Sequence, residues 1–149
     1  MSQKEAFNFC ITSWPQRRAE IRREGSAVYF EAGEDAPPDT KRTFNPTDED
    51  WSQFWEAVDK LKVWDWHNRI SGPDTEFRYG GYHIPQIDGE TWSLLLERGG
   101  RKFECGRSNA YPGVKGTSPG QTFRRFLTAV NELTGEELFA NAWPSNKTN

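Results

Sequence analysis

The fold is decided by the stretch Asp88–Leu133, which reads DGETWSLLLERGGRKFECGRSNAYPGVKGTSPGQTFRRFLTAVNEL. Its first half predicts two strands, Thr91–Arg98 and Arg101–Gly106, because they flank Gly99-Gly100, a dipeptide that suits the tight turn of a β-hairpin. Its second half predicts an amphipathic helix, because apolar residues recur at spacings of three and four. This apolar stripe consists of Phe123, Phe126, Leu127, Val130 and Leu133.

The ends of this helix are also marked in the sequence. Ser118 to Gln121 fits a capping box, with Ser118 as the N-cap and Gln121 reaching back to it. Thr134-Gly135 is expected to end the helix, and a short final helix is predicted over Glu136–Trp143. The loop before the helix, Gly113–Gly120, is predicted to be a capped connection, with an anion site at its backbone amides as the alternative.

An earlier stretch, Ser26–Leu61, follows the same plan of strand, returning strand and helix. Thr47 is the predicted N-cap of its helix, and three acidic residues follow in the first turn, where they complement the helix dipole. A shift of 72 residues superimposes this helix's apolar stripe on the later one. We therefore predict a single domain spanning 1–149, in which an internal duplication, about 26–61 and 91–133, and a chance likeness of two amphipathic helices are the open alternatives. The earlier stripe consists of Trp51, Phe54, Trp55, Val58 and Leu61.

Four further segments predict strands. Residues 6–12 alternate, with Phe7, Phe9 and Ile11 on one face of the strand. The arginine-rich stretch 17–24 is typical of a solvated strand or ribbon, with an anion-binding edge as the alternative. Val63–Ile70 and Glu76–Ile84 show the same alternation.

Together these elements predict an α+β fold. It consists of an antiparallel sheet with two main amphipathic helices on one face, because each apolar stripe has to be buried. The other face of the sheet would be open or covered by a partner. An exposed edge strand beside the first or last hairpin leaves a homodimer as an open alternative.

The composition narrows the class of protein. The 149 residues carry a net charge of -3, which argues against a nucleic-acid binder. The seven tryptophans favour a core packed with aromatic side chains. No apolar run reaches the length of a signal peptide or a membrane span, so we expect a cytoplasmic protein without membrane contact. Cys10 and Cys105 are expected to be buried thiols, with a disulfide or a reactive nucleophile as alternatives.

Few residues suggest catalysis. The two histidines, His67 and His83, lack the spacing of metal ligands, and no glycine-rich phosphate loop occurs, so we expect neither metal nor cofactor. Asp65 and His67 would share one face of the predicted strand and could pair as carboxylate and imidazole. A surface ion pair is the alternative.

The sequence carries one resemblance. The hairpin that begins with Asp88–Trp92, followed by Ser108–Pro112 and a helix, resembles a pattern found in small bacterial and phage proteins without an assigned activity. The resemblance covers under half of the chain. It implies a bacterial or phage origin and assigns no site residue.

These observations favour a non-enzymatic binding protein that covers a protein partner, as an immunity protein or an inhibitor does. One alternative is a protein that sequesters a small ligand or nucleotide. Another is a small enzyme that uses Asp65 with His67, or His83, as acid–base groups in an aromatic cleft. The candidate binding residues are aromatic, arginine and histidine side chains of the predicted strands: Trp64, Trp66, His67, Arg69, Arg78, Tyr82 and His83.

Overall fold

The computed structural model describes residues 5–13, 17–32, 41–70, 90–115 and 119–139. The fold is α+β, as predicted, with six strands and two α-helices in this part of the chain. The elements in chain order are β1 (Ala6–Ser13), β2 (Arg17–Glu24), β3 (Ala27–Ala32), β4 (Arg42–Phe44), α1 (Asp48–Lys60), a 3₁₀ helix (Val63–Asn68), β5 (Glu90–Arg98), β6 (Arg101–Ser108) and α2 (Gln121–Thr134).

The chain divides into two compact units. The first, Met1–Phe44 with Pro73–Asn109, contains the six strands, and the second, Asn45–Gly72 with Ala110–Asn149, contains the helices. Each unit is assembled from two separate stretches of the chain. Contacts between residues distant in sequence therefore hold each unit together.

The first unit is one antiparallel sheet in the order β4-β3-β2-β1-β5-β6. Strand β2 lies inside this sheet, hydrogen-bonded to β1 on one side and to β3 on the other. The prediction of a strand at 17–24 is confirmed. The alternative of an anion-binding edge is wrong, because both backbone sides of β2 are used in strand pairing.

The two faces of the sheet differ in chemistry, as the alternation in 6–12 predicts. Phe7, Phe9 and Ile11 are buried on one face, where Phe9 is in register with Ile21 of β2 and Leu94 of β5. The opposite face carries the polar residues of the same strands. The described core of the apolar face includes Phe7, Phe9, Ile11, Ile21, Val28, Phe30, Trp92, Leu94, Leu96 and Phe103.

The hairpin between β5 and β6 turns at the predicted dipeptide. Gly99 and Gly100 have φ values of +61° and +80°. A two-residue turn with both φ values positive matches the right-handed twist of the flanking strands, and glycine adopts it without steric cost.

Helix α1 begins as predicted. The Thr47 side chain accepts a hydrogen bond from the Asp50 backbone N–H at 3.0 Å, and the Asp50 carboxylate accepts one from the Thr47 N–H at 2.9 Å. This reciprocal pair satisfies two backbone donors that the first turn leaves without helical partners. Four of the five predicted stripe residues, Trp51, Phe54, Trp55 and Val58, are buried.

Helix α2 starts differently from the prediction. Its N-cap is Gly120, without a side-chain cap, so the predicted capping box of Ser118 and Gln121 is wrong. A Cβ atom at residue 120 would overlap Cγ1 of Val114. The close approach of the preceding loop therefore selects glycine at this position, and the N-cap follows from packing instead of side-chain hydrogen bonding. The predicted apolar stripe of α2 is buried throughout.

The end of α2 is anchored by Asn131. Gly135 has a φ of +77° and ends the helix, as predicted. Residues 136–139 are not helical, contrary to the prediction of a final helix over 136–143, whose remaining residues lie outside the described part of the chain. The Asn131 Oδ1 atom accepts hydrogen bonds from the N–H groups of Leu138 (3.0 Å) and Phe139 (2.9 Å), and its Nδ2 atom donates to the Phe139 carbonyl (3.1 Å). Asn131 is buried, so its amide replaces the backbone pairing that a further helix would supply.

We predict that Asn131→Ala destabilises the protein strongly. It removes three hydrogen bonds and leaves the part-buried N–H of Leu138 and the buried N–H and C=O of Phe139 without them, which is expected to cost about 2–4 kcal/mol. The measurement is the free energy of unfolding from urea denaturation. Thr134→Ala is the matched control in the same turn. An Asn131→Ala loss no greater than that of the control would contradict this role.

Candidate functional site

Four of the seven predicted binding residues lie in or next to the 3₁₀ helix: Trp64, Trp66, His67 and Arg69. Arg78, Tyr82 and His83, together with the predicted strand Glu76–Ile84, lie outside the described residues. The four described residues belong to the helical unit.

The segment after α1 forms a 3₁₀ helix, so the predicted strand over Val63–Ile70 is wrong. Helix α1 ends at Lys60, and Lys62 follows with a φ of +56°, which redirects the chain. With three residues per turn, Val63 and Trp66 fall on the same side, and both are fully buried. The prediction of Trp66 as a binding residue is therefore wrong, because its side chain is not accessible to a partner. Its ring packs edge-on against Phe126 at 5.5 Å between centroids.

Trp64 is only half-buried, in contrast to Trp66. Its ring stacks on Trp55 with 6.3 Å between centroids and an interplanar angle of 14°. Its indole N–H donates to the Asp59 carboxylate at 3.0 Å. The stacked ring and the hydrogen bond together fix the orientation of a large aromatic side chain at the surface.

The polar groups beside Trp64 are also held in place. The Asp65 carboxylate accepts hydrogen bonds from Asn68 Nδ2 (2.6 Å) and Arg69 Nε (3.0 Å), and these bonds, chiefly that from Asn68, lower the pKa of Asp65. In a 3₁₀ helix, residues two apart point in different directions. The predicted shared face of Asp65 and His67 is therefore absent.

Trp64, His67 and Arg69 belong to the same short segment, and we refer to these three residues as the Trp64 surface. His67 and Arg69 are exposed, and Arg69 forms an ion pair with Asp65. An aromatic ring, an imidazole and a guanidinium are side chains that can bind through stacking, hydrogen bonds and charge.

A second group of polar side chains lies on the polar face of the sheet, around Cys10. Cys10 is in register with Glu20 on β2 and Ser93 on β5, and all three residues are buried. Glu20 forms an ion pair with Arg18 at 2.6 Å. Burial raises the pKa of the Cys10 thiol to about 11, against the lowering effect of Arg18.

The thiols behave as structural groups. The register places Cys10 and Cys105 on opposite faces of the sheet, and neither forms a disulfide, as predicted. The thiolate is the reactive form of cysteine. The raised pKa of Cys10 thus opposes the alternative of a reactive nucleophile at this position.

We predict that Cys10 resists alkylation in the native protein. At pH 8 a thiol with a pKa near 11 has roughly 100-fold less thiolate than an ordinary one, and burial slows its reaction further. Iodoacetamide labelling at pH 8, followed by mass spectrometry of the peptides, should show much slower modification than in urea. Modification of native Cys10 at the rate found in urea would contradict this expectation.

A groove runs between α1 and α2 within the helical unit. Its space, including the solvent at its open mouth, is about 230 Å³. The groove is lined by Asp50, Gln53, Phe54, Ala57, Ala129, Glu132 and Leu133. Sequence reasoning missed it, although the small residues Ala57 and Ala129 stand at matching positions of the two helices.

The described ranges carry neither a metal-binding group nor a membrane span. No three His, Cys, Asp or Glu side chains in them lie close enough together to hold a metal ion. None of the helices described is long and apolar enough to cross a membrane.

Comparison with known proteins adds no assignment. No protein-family model, curated protein or solved structure matches this chain.

Proposed function

We propose that this chain is a non-enzymatic binding protein of bacterial or phage origin that acts in the cytoplasm by covering a partner protein, as an immunity protein or an inhibitor does. The observation that supports this proposal is the fixed, partly exposed ring of Trp64, held by Trp55 and Asp59. Tryptophan and arginine are over-represented among the residues that dominate protein–protein binding energy.

Preorganisation is the physical reason for choosing Trp64. Ordering a side chain on binding costs about 0.5–1.5 kcal/mol, and a ring that is already oriented avoids most of this cost. Asp65 likewise holds Arg69 in place before a partner arrives. The Trp64 surface therefore presents an aromatic ring and a cation in a defined arrangement.

The polar chemistry of the surface favours binding over catalysis. An acid–base role for Asp65 would require its carboxylate to exchange protons near neutral pH. Its hydrogen bonds with Asn68 and Arg69 lower its pKa instead, so it remains ionised. This behaviour suits a residue that positions Arg69.

The proposal predicts that Arg69→Glu weakens partner binding at least about tenfold, because it removes a binding cation and places two carboxylates together. The partner would be captured with the tagged protein from host lysate, identified by mass spectrometry, purified, and titrated calorimetrically against each variant. His67→Ala should weaken binding less.

Lys102→Glu is the matched control, because it makes the same charge reversal at an exposed residue of β6 in the other unit. Its affinity should equal that of the unaltered protein, and circular dichroism should show that both variants are folded. Equal affinities of Arg69→Glu and Lys102→Glu for the partner would refute the proposed surface. Capture of a small molecule in place of a protein would refute the proposed function.

A further inference from the structure

Three charged side chains of the 3₁₀ helix and its two caps form what we call the Asp65 cluster: Lys62, Asp65 and Arg69. The Asp65 carboxylate accepts the Arg69 Nε–H at 3.0 Å, and the Asp65 backbone N–H donates to the Lys62 carbonyl at 2.9 Å. The hydrogen bond from Asn68 lowers the pKa of Asp65 most, and the charges of Arg69 and Lys62 lower it further. Both cations therefore lie close enough to act on one carboxylate.

The two cations keep hydrogen-bond donors for a further group. Arg69 is exposed and uses its Nε atom in the ion pair, and neither of its Nη groups donates within the part of the chain that the structure describes. Lys62 is exposed, and its ammonium forms no ion pair among the described residues. The nearby carboxylate of Asp59 accepts the indole N–H of Trp64. Two cations and one carboxylate leave the Asp65 cluster with one positive charge in excess.

Lys62 has a backbone conformation that suits glycine better than lysine. Its φ of +56° and ψ of +41° lie in the left-handed region, where a Cβ atom comes too close to the following carbonyl oxygen. The chain leaves α2 in the same region, and the residue there is Gly135. A lysine in this conformation lowers the stability of the fold, and such costs are typical of positions that serve a function.

We propose that Lys62 and Arg69 together bind a carboxylate of the partner protein, the side chain of an aspartate or a glutamate. This inference rests on the proposed function, because it names the group by which the partner binds beside the Trp64 surface. The planar fork of the Arg69 guanidinium suits the two oxygens of a carboxylate, and the Lys62 ammonium supplies a second cation. The partner's carboxylate and that of Asp65 would then balance the two cations.

A single carboxylate fits this cluster better than a nucleic-acid backbone does. One carboxylate balances one excess positive charge, whereas nucleic acid presents a series of phosphates and is bound through many cations. The protein as a whole carries a net charge of -3, which opposes the approach of a polyanion. An acidic side chain on a protein surface avoids this repulsion.

The test titrates the whole protein, labelled with nitrogen-15, with the probe acetyl-Gly-Glu-Gly-amide at constant ionic strength. We expect saturable shifts of the Arg69 Nε–H signal and of the backbone amides of 62–69 in nuclear magnetic resonance spectra. The dissociation constant should be on the order of tens of millimolar, because exposed ion pairs contribute little. The glutamine peptide, which has the same shape without the charge, should bind at least about threefold more weakly.

Variants locate the interaction. Lys62→Gln and Arg69→Gln should each weaken binding of the glutamate peptide roughly two- to fivefold, the effect of removing one exposed ion pair. Lys60→Gln is the matched control, because Lys60 is an exposed lysine near Lys62 whose ammonium already pairs with Glu56 at 3.3 Å. It should leave the binding nearly unchanged. Lys62→Gly should weaken binding and raise the melting temperature, because glycine adopts the left-handed conformation without strain.

Four results would overturn the carboxylate site. They are equal binding of the glutamine peptide, equal weakening by Lys60→Gln and Lys62→Gln, no saturable shift in 62–69, and binding of inorganic phosphate at least about tenfold tighter than that of the glutamate peptide. The last result would assign the cluster to a phosphate group. The titration contains no partner protein, so its failure refutes this site alone, whereas capture of a small molecule from lysate refutes the proposed function.

Discussion

The helical unit depends on a continuous series of aromatic ring contacts. Rings from α1, the 3₁₀ helix, the segment between β6 and α2, and α2 itself touch at centroid distances of 4.9–6.3 Å, all edge-on or tilted. Each ring buries a large area and restricts the angle of its neighbour. The connected rings are Trp51, Phe54, Phe126, Trp66, Phe123 and Tyr111.

This series explains why the surface has its particular chemistry. The Trp66 ring lies in the core, where it contacts both Phe123 and Phe126. The 3₁₀ period that buries Trp66 turns Trp64 outward, where Trp55 and Asp59 hold it. Core packing and the orientation of the surface ring thus have one cause, the conformation of the segment after α1.

Local patterns predicted the sheet hairpin and both helices, because turn glycines and apolar stripes act within a few residues. They failed where contacts between residues distant in sequence determine the local structure. Val63–Ile70 fits both a period of two and a period of three, and packing against α2 selects the latter. The α2 cap depends on Val114, and the groove depends on which faces of α1 and α2 meet. Residue type alone identified Trp64 as a candidate binding residue. It could not show that Trp66 is buried and Trp64 is not.

The contact between Phe54 and Phe126 joins α1 and α2 at matching positions. These two residues coincide after the shift of 72 residues, and they touch each other. A change of ring size at either position would therefore alter how both helices pack.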